Sequence, residues 1–145
     1  MIITTDKSKL DIDLIHRYLC DESYWAKGIP RDVVERAIAN SLTVGAFDGE
    51  KQIGFARAIT DYAVFAYVAD VFVIESHRGR GVGKMIMQAI MEHPSLRGLR
   101  RWSLVTRDAH ELYRHFGFRE LEKPERHMEI VARNPYGGTE VTLTS

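Results

Sequence analysis

The sequence predicts an α/β domain (α+β by some schemes) with a mixed, mostly antiparallel central sheet flanked by helices. Three observations predict it. Two apolar runs of strand length, LTVGAF and QIGFARAIT, are separated by Asp48-Gly49-Glu50-Lys51, and Asp-Gly suits the left-handed backbone of a tight hairpin. A longer run rich in β-branched and aromatic residues, Tyr62 to Ile74, follows after a turn at Asp61 with no helix between. A helical pattern through Val82, Ile86, Ala89 and Ile90 then leads to another strand, Leu99 to Val105. Antiparallel strands followed by a crossover helix describe a sheet of mixed direction rather than a doubly wound one.

In chain order, Ile2 to Thr5 is a short β-branched piece, with Asp6 and Ser8 available as helix caps. Leu10, Ile12, Leu14, Ile15, Tyr18 and Leu19 recur at helical spacing, predicting a first helix to about Cys20. DESYWAKGIP is a loop, and Pro30 opens a second helix with Val33, Val34, Ala37 and Ile38 on one face and Asn40-Ser41 at its end. After the three strands, the crossover helix stops at His93-Pro94. Asp108-Ala109-His110-Glu111 has the pattern of a capping box, and Gly117 ends the short helix ELYRHF. Phe118 to Leu121 and Met128 to Val131 are expected to form a last strand pair around EKPER. The order is ααβββαβαββ in one domain, residues 1–145, with 134–145 either a frayed tail or an edge strand.

At 145 residues the chain can bury a core without metals or disulfides. Lys plus Arg and Asp plus Glu are 20 each, so the basic excess of a wholesale nucleic-acid binder is missing. Cys20 is the single cysteine, which rules out an intrachain disulfide; a small apolar role suits it better than a nucleophile's. MIITTDKSKLDID lacks a signal peptide's charged start and apolar core, and no apolar run reaches bilayer length. The expectation is a cytoplasmic protein with no nucleic-acid or membrane partner, and a homodimer is compatible with it. His110 and His115 are off a common helix face, and no Cys/His cluster is present, so no metal site is expected.

The turn ESHRGRGVGK joins the long strand to the crossover helix. Unpaired N–H groups at a helix N-terminus, with small residues allowing close approach and Arg and Lys nearby, suit a diphosphate. The turn lacks both G-x-G-x-x-G in a βαβ setting and G-x-x-x-x-G-K-[ST], so it is neither a dinucleotide fingerprint nor a P-loop. A plain glycine-rich turn with solvent-facing arginines is the alternative, and His77 before it is read as a surface histidine.

The pattern Arg-x-x-Gly-x-Gly at Arg78, Gly81 and Gly83 resembles the acyl-CoA-binding motif of the GNAT superfamily of N-acetyltransferases. Further on, Asp108-Ala109-x-x-Leu112-Tyr113-x-x-Phe116-Gly117-Phe118 resembles the family's second motif, A-x-x-L-Y-x-x-x-G-F. Together they sit in the family's element order over about Ile2 to Ile130. The resemblance implies acetyl-CoA as co-substrate, lying where the fourth and fifth strands splay apart. Its pyrophosphate would rest on Arg78, Gly79, Arg80, Gly81, Val82, Gly83 and Lys84. Its pantetheine arm would pair with Val71, Phe72 and Val73, and His110 and Tyr113 would lie alongside. A small-molecule or peptide amine would attack directly, and Tyr113 would protonate the departing thiolate. The alternative for Tyr113 is a core aromatic sharing a helix face with Ala109 and Phe116.

The base is open. Asp70 is a lone charge in an apolar strand and by alternation shares a face with Val68, Phe72 and Ile74. It is a base or counter-ion for the amine, or a structural partner of Arg57 or Arg107. The glutamate that some relatives carry on this strand falls nearer Tyr67 and is not transferable. In this fold the loop after the first helix covers the acceptor, here with Tyr24 and Trp25, although Trp25 equally serves to staple the loop to the core. His127 is read as a surface residue. A non-catalytic acyl-CoA-binding module and a nucleotide-binding α/β domain are the rival readings.

Overall fold

The computed structural model describes residues 1–137 and 142–144. Five strands form the main sheet in the order β1-β2-β3-β4-β5: β1 Ile2–Thr4, β2 Leu42–Asp48, β3 Lys51–Thr60, β4 Phe65–Val73 and β5 Arg101–Ser103. The first four pair antiparallel; β4 and β5 run parallel, as the intervening helix α3, Val82–Met91, requires. The hairpin lies where Asp48-Gly49 placed it. Asp48 pairs with Lys51, and Gly49 takes φ +62°. Ile2–Thr4 is a true edge strand on β2, so the domain begins with a strand rather than a helix.

Helix α1 spans Ile12–Arg17 and α2 spans Arg31–Ala39, directly after Pro30. Asp11, not Asp6 or Ser8, caps α1 by accepting from the Leu14 N–H at 3.0 Å; Asp6 caps only the short 3-10 turn Lys7–Lys9. Beyond Arg17 the predicted first helix widens into a π turn, Tyr18–Glu22. The two faces of the sheet carry separate cores. On one, α3 delivers Val82, Ile86, Met87 and Ile90 onto Val44, Ala58 and Val68. On the other, α1, the π turn and α2 deliver Ile15, Leu19, Val34 and Ile38 onto Phe55 and Phe72. With both faces covered, β2 is buried along LTVGAF, which explains its unbroken apolar run.

Val68 and Phe72 lie in different cores, contrary to simple alternation. Ala58 pairs with Val68 and Phe55 with Phe72, leaving Ala56 alone opposite Asp70 and Val71. This is a β-bulge, and Asp70 occupies it with φ +54°. The extra residue inverts the pleat, so Phe72 stacks on Tyr18 at 3.9 Å between ring centroids while Val71 and Val73 turn toward α3. Asp70 therefore does not share a face with Val68 and Phe72. Its carboxylate accepts from Arg57 Nε at 2.6 Å and from Trp25 Nε1 at 2.8 Å. Arg57 also donates to Ser41 Oγ, which donates to the Ala37 carbonyl at the end of α2.

The C-terminal part departs most from expectation. Helix α4 is short, His110–Arg114, and Asp108 does not cap it; Thr106 Oγ1 accepts from the Ala109 N–H instead. Gly117, at φ +99°, closes the helix as predicted, with the Phe118 N–H bonding the Tyr113 carbonyl. Phe118 to Leu121 is irregular and forms no strand. In its place Val131–Arg133 (β6) pairs with Thr142–Thr144 (β7), so this part of the tail forms a separate ribbon and not an edge of the main sheet. The polar, proline-containing EKPER loop does not hold strands in register. Leu99 to Val105 shortens to the three residues of β5, and Tyr62, at φ +61°, lies in the turn before β4.

If Asp70 is held by its left-handed backbone as well as by its charge, two substitutions should differ. Asp70→Ala is expected to lower stability by roughly 3–5 kcal/mol, because it leaves Arg57 half-buried and unpaired. Asp70→Asn, which tolerates positive φ and still accepts from Trp25, should be milder by about 1–2 kcal/mol. Urea unfolding of the two variants measures the difference; equal losses would remove the backbone argument.

Candidate active site

Strand β5 pairs with β4 only at Phe65, Ala66 and Tyr67. Beyond Tyr67 the two strands part, and the side of β4 away from β3 makes no further strand pairing among the described residues. A cleft of about 420 Å³ opens there. Its sheet wall is Arg57, Tyr67, Asp70 and Val71, and its opposite wall is Leu104 to Thr106, Asp108 and Tyr113. Tyr24, Trp25 and Tyr136 close the outer side. Five of the residues singled out from sequence thus meet: Tyr24, Trp25, Asp70, Val71 and Tyr113.

Phe72 contributes backbone only, since its ring is buried against Tyr18 and Phe55. At the end of β4 the turn runs through Gly79 and Gly81, at φ +77° and +79°, and Gly81 is the residue before α3. Among the described residues no hydrogen bond takes the backbone N–H of Gly79 through Lys84, and no side chain caps the helix. Arg80 and Lys84 are exposed there. Arg78 is not a free rim charge: its guanidinium donates to the Val73 carbonyl and to the Tyr18 hydroxyl, each at 3.0 Å. His77 is buried, not superficial. It bridges Ser76 Oγ at 2.8 Å and Asp48 Oδ2 at 2.9 Å, fastening the turn to the β2–β3 hairpin. That contact holds the Asp48 carboxyl below its usual range.

Tyr113 is buried, and burial, assisted by Tyr24 and Asp108, pushes its phenol up to about 12. The loop before α2 is tied down at two points. Trp25 donates to Asp70, and the Tyr24 hydroxyl accepts from the Arg107 N–H at 3.2 Å while the Arg107 guanidinium lies 3.8 Å over the Tyr24 ring. Trp25 is thus both staple and cleft wall. His110, exposed at the start of α4, borders an adjoining groove with Trp102 and Phe118 that shares Leu104 to Thr106 and Tyr113 with the cleft. His127 is exposed, on a third, basic groove beside Arg126. Cys20 is half-buried rather than buried, and desolvation raises its thiol pKa. Sequence reading missed Tyr67 and Tyr136 as cleft walls, and it named Arg107 as a partner for Asp70, whereas Asp70 pairs with Arg57 and Arg107 holds Tyr24. Tyr67 was hidden inside a strand and Tyr136 lay in a tail without periodicity, so neither carried a local signal.

Among the described residues no group of His, Cys, Asp or Glu is arranged for a metal ion, and no helix is long and apolar enough to cross a membrane. Comparison with known proteins supplies the rest. The model of the acetyltransferase (GNAT) domain matches residues 39–120. A crystal structure of a candidate GNAT-family acetyltransferase from Xanthomonas campestris pv. campestris is 51% identical, with a TM-score of 0.88 over 94% of each chain. A candidate acetyltransferase of Gibberella zeae is 29% identical over 134 residues, 77% of this chain and 75% of that protein. A Mycobacterium tuberculosis protein solved in complex with CoA shares the fold, at 18% identity and a TM-score of 0.67 over 84% of this chain and 74% of that one. With more than half of its residues matched, the chain belongs to the GNAT family of acetyltransferases and is an acetyl-CoA-dependent acyltransferase.

Proposed function

We propose that the protein moves the acetyl group of acetyl-CoA to a primary amine of a small molecule by direct attack, within a single domain. The observation that carries this reading is the unpaired β4 edge, which runs from the cleft holding Tyr113 to the uncapped N-terminus of α3. The pantetheine arm fits that edge at Val71, Phe72 and Val73 as an added strand. The bulge turns the Val71 side chain toward α3 and sets the backbone at which a thioester carbonyl would be polarised. The pyrophosphate fits the amides of Gly79 to Lys84, with Arg80 and Lys84 beside it and Arg78 as the brace that fixes the turn to Val73. His110 borders the adjoining groove, on the other side of Tyr113.

In the transfer, the amine nitrogen attacks the carbonyl carbon and the carbon–sulfur bond breaks. A phenol raised to about 12 is a weaker acid than a free thiol of ordinary pKa, about 8.5. Tyr113 therefore acts by donating a hydrogen bond to the departing sulfur; the acceptor attacks as the neutral amine, its ammonium proton having passed to water, and the proton then lost by the adduct nitrogen ends on the thiolate. Asp70, with one bond accepted at each oxygen, serves as the counter-ion of Arg57 and holds the bulge, and its charge is thereby matched before an amine arrives.

Thiol release from acetyl-CoA across an amine panel tests the reaction; an enzyme that acetylates no amine would overturn it. Tyr113→Phe is expected to lower kcat roughly 10- to 100-fold, the worth of a charge-assisted hydrogen bond to the leaving group. Because Tyr113 stays protonated to about pH 12, no alkaline loss of rate from this group is expected below pH 10; a Tyr113-dependent fall between pH 8 and 10 would remove its role. Replacing Arg80 and Lys84 together by Ala should weaken CoA binding about tenfold, near 1.4 kcal/mol, by calorimetry. The same pair should leave acetyl-pantetheine, which has no pyrophosphate, unaffected.

A further inference from the structure

The acceptor side of the cleft restricts what can enter through its balance of charge and ring surface. Five aromatic side chains border it: Tyr24, Trp25, Tyr67, Tyr113 and Tyr136. Its two carboxylates are each matched by an arginine. Asp70 is paired with Arg57 at 2.6 Å, with side chains only 11% and 17% exposed, and Asp108 is paired with Arg107 at 3.3 Å. A polycation leaves water readily only against several uncompensated carboxylates, because each buried charge without a partner is expensive. These walls offer none.

A single ammonium is a different case. Ring faces attract one cation by about 0.5–2 kcal/mol, most strongly where water is excluded. The Tyr67 phenol is raised chiefly by burial, so this ring lines a water-poor part of the cleft where one ammonium is held best. Size points the same way. At about 420 Å³ the cleft is in the lower part of the range for small-molecule sites. Its outer wall is set by Tyr136, which lies against the Gly28 turn of the acceptor loop.

We propose that the acceptor is a small monoamine with a flat apolar body, seated among Trp25, Tyr67 and Tyr136, and that polyamines and aminoglycosides are excluded. This rests on the amine acetyltransfer proposed above. The test is initial-rate thiol release with 2-phenylethylamine, propylamine, spermidine and kanamycin, together with calorimetry of each amine against the CoA-bound protein. The expected result is a kcat/KM for 2-phenylethylamine at least tenfold above the other three, with a binding heat for it and none for spermidine or kanamycin. Tyr136→Ala should raise its KM about fivefold with the acetyl-CoA KM unchanged within twofold, and Tyr136→Phe should restore it. Preference for spermidine or kanamycin, or equal use of propylamine, would overturn this inference and leave amine acetyltransfer standing. Binding of CoA with no amine bound or acetylated would overturn both.

Discussion

The structure depends on one extra residue in a strand. Asp70 takes a left-handed backbone conformation inside β4, and the pleat after it is reversed. Without that reversal Phe72 would point toward α3, the Tyr18 ring would lose its stacking partner, and Val71 and Val73 would face the other core. Such a conformation is unfavourable for a residue with a side chain, and it persists because the surroundings over-determine it. Arg57 holds one carboxylate oxygen and Trp25 the other, and Arg57 is anchored in turn through Ser41 to the end of α2. The Trp25 bond also fixes the loop before α2 over the cleft. Backbone geometry, loop position and charge neutralisation are therefore one device.

The cleft divides its work between backbone and side chains. Along β4 and the turn before α3 the features are main-chain groups: a strand edge without a strand partner and the open amides of a glycine turn. Side chains there serve mostly as braces, as Arg78 does toward Val73 and Tyr18 and His77 toward Asp48. Across the cleft, rings and matched ion pairs define the walls. A seat made of backbone tolerates change in most of its side chains, whereas a wall made of rings alters its preference with each substitution.

This division also explains what could be read from the residues alone. The hairpin, the crossover helix and the Gly117 cap were legible because each rests on a local signal: a glycine at positive φ or a helical apolar stripe. The turn was legible because it lies between two such elements. The bulge was not, since alternation in YAVFAYVADVFVI is readable only if the pleat is continuous, and the residue that interrupts it is decided by partners on β3 and the loop before α2. Asp70 stood out as a lone charge, but which way it pointed was a tertiary question. The capping box failed for a similar reason: the helix begins one residue later, with Ala109 at its N-cap, and the Asp108 and Glu111 carboxylates accept from Arg107 and Arg114. Tyr67 and Tyr136, far apart in sequence, meet only in the folded chain.

The pairing of β4 with β5 is confined to three residues on each strand, and the whole of α3 lies between them. In chain entropy it is costlier than the hairpin pairings of β2, β3 and β4, because a long crossover must be ordered before a few bonds are returned; only β1, which pairs with β2 across α1 and α2, closes a longer stretch. The strands β2, β3 and β4, joined by short turns, need no such excursion. Local opening of the sheet should therefore begin at its two short edge strands, β1 and β5, and amide exchange there should run ahead of the central hairpin. The opening between β4 and β5 is thus bounded on its far side by the less tightly held strand of the parallel pair.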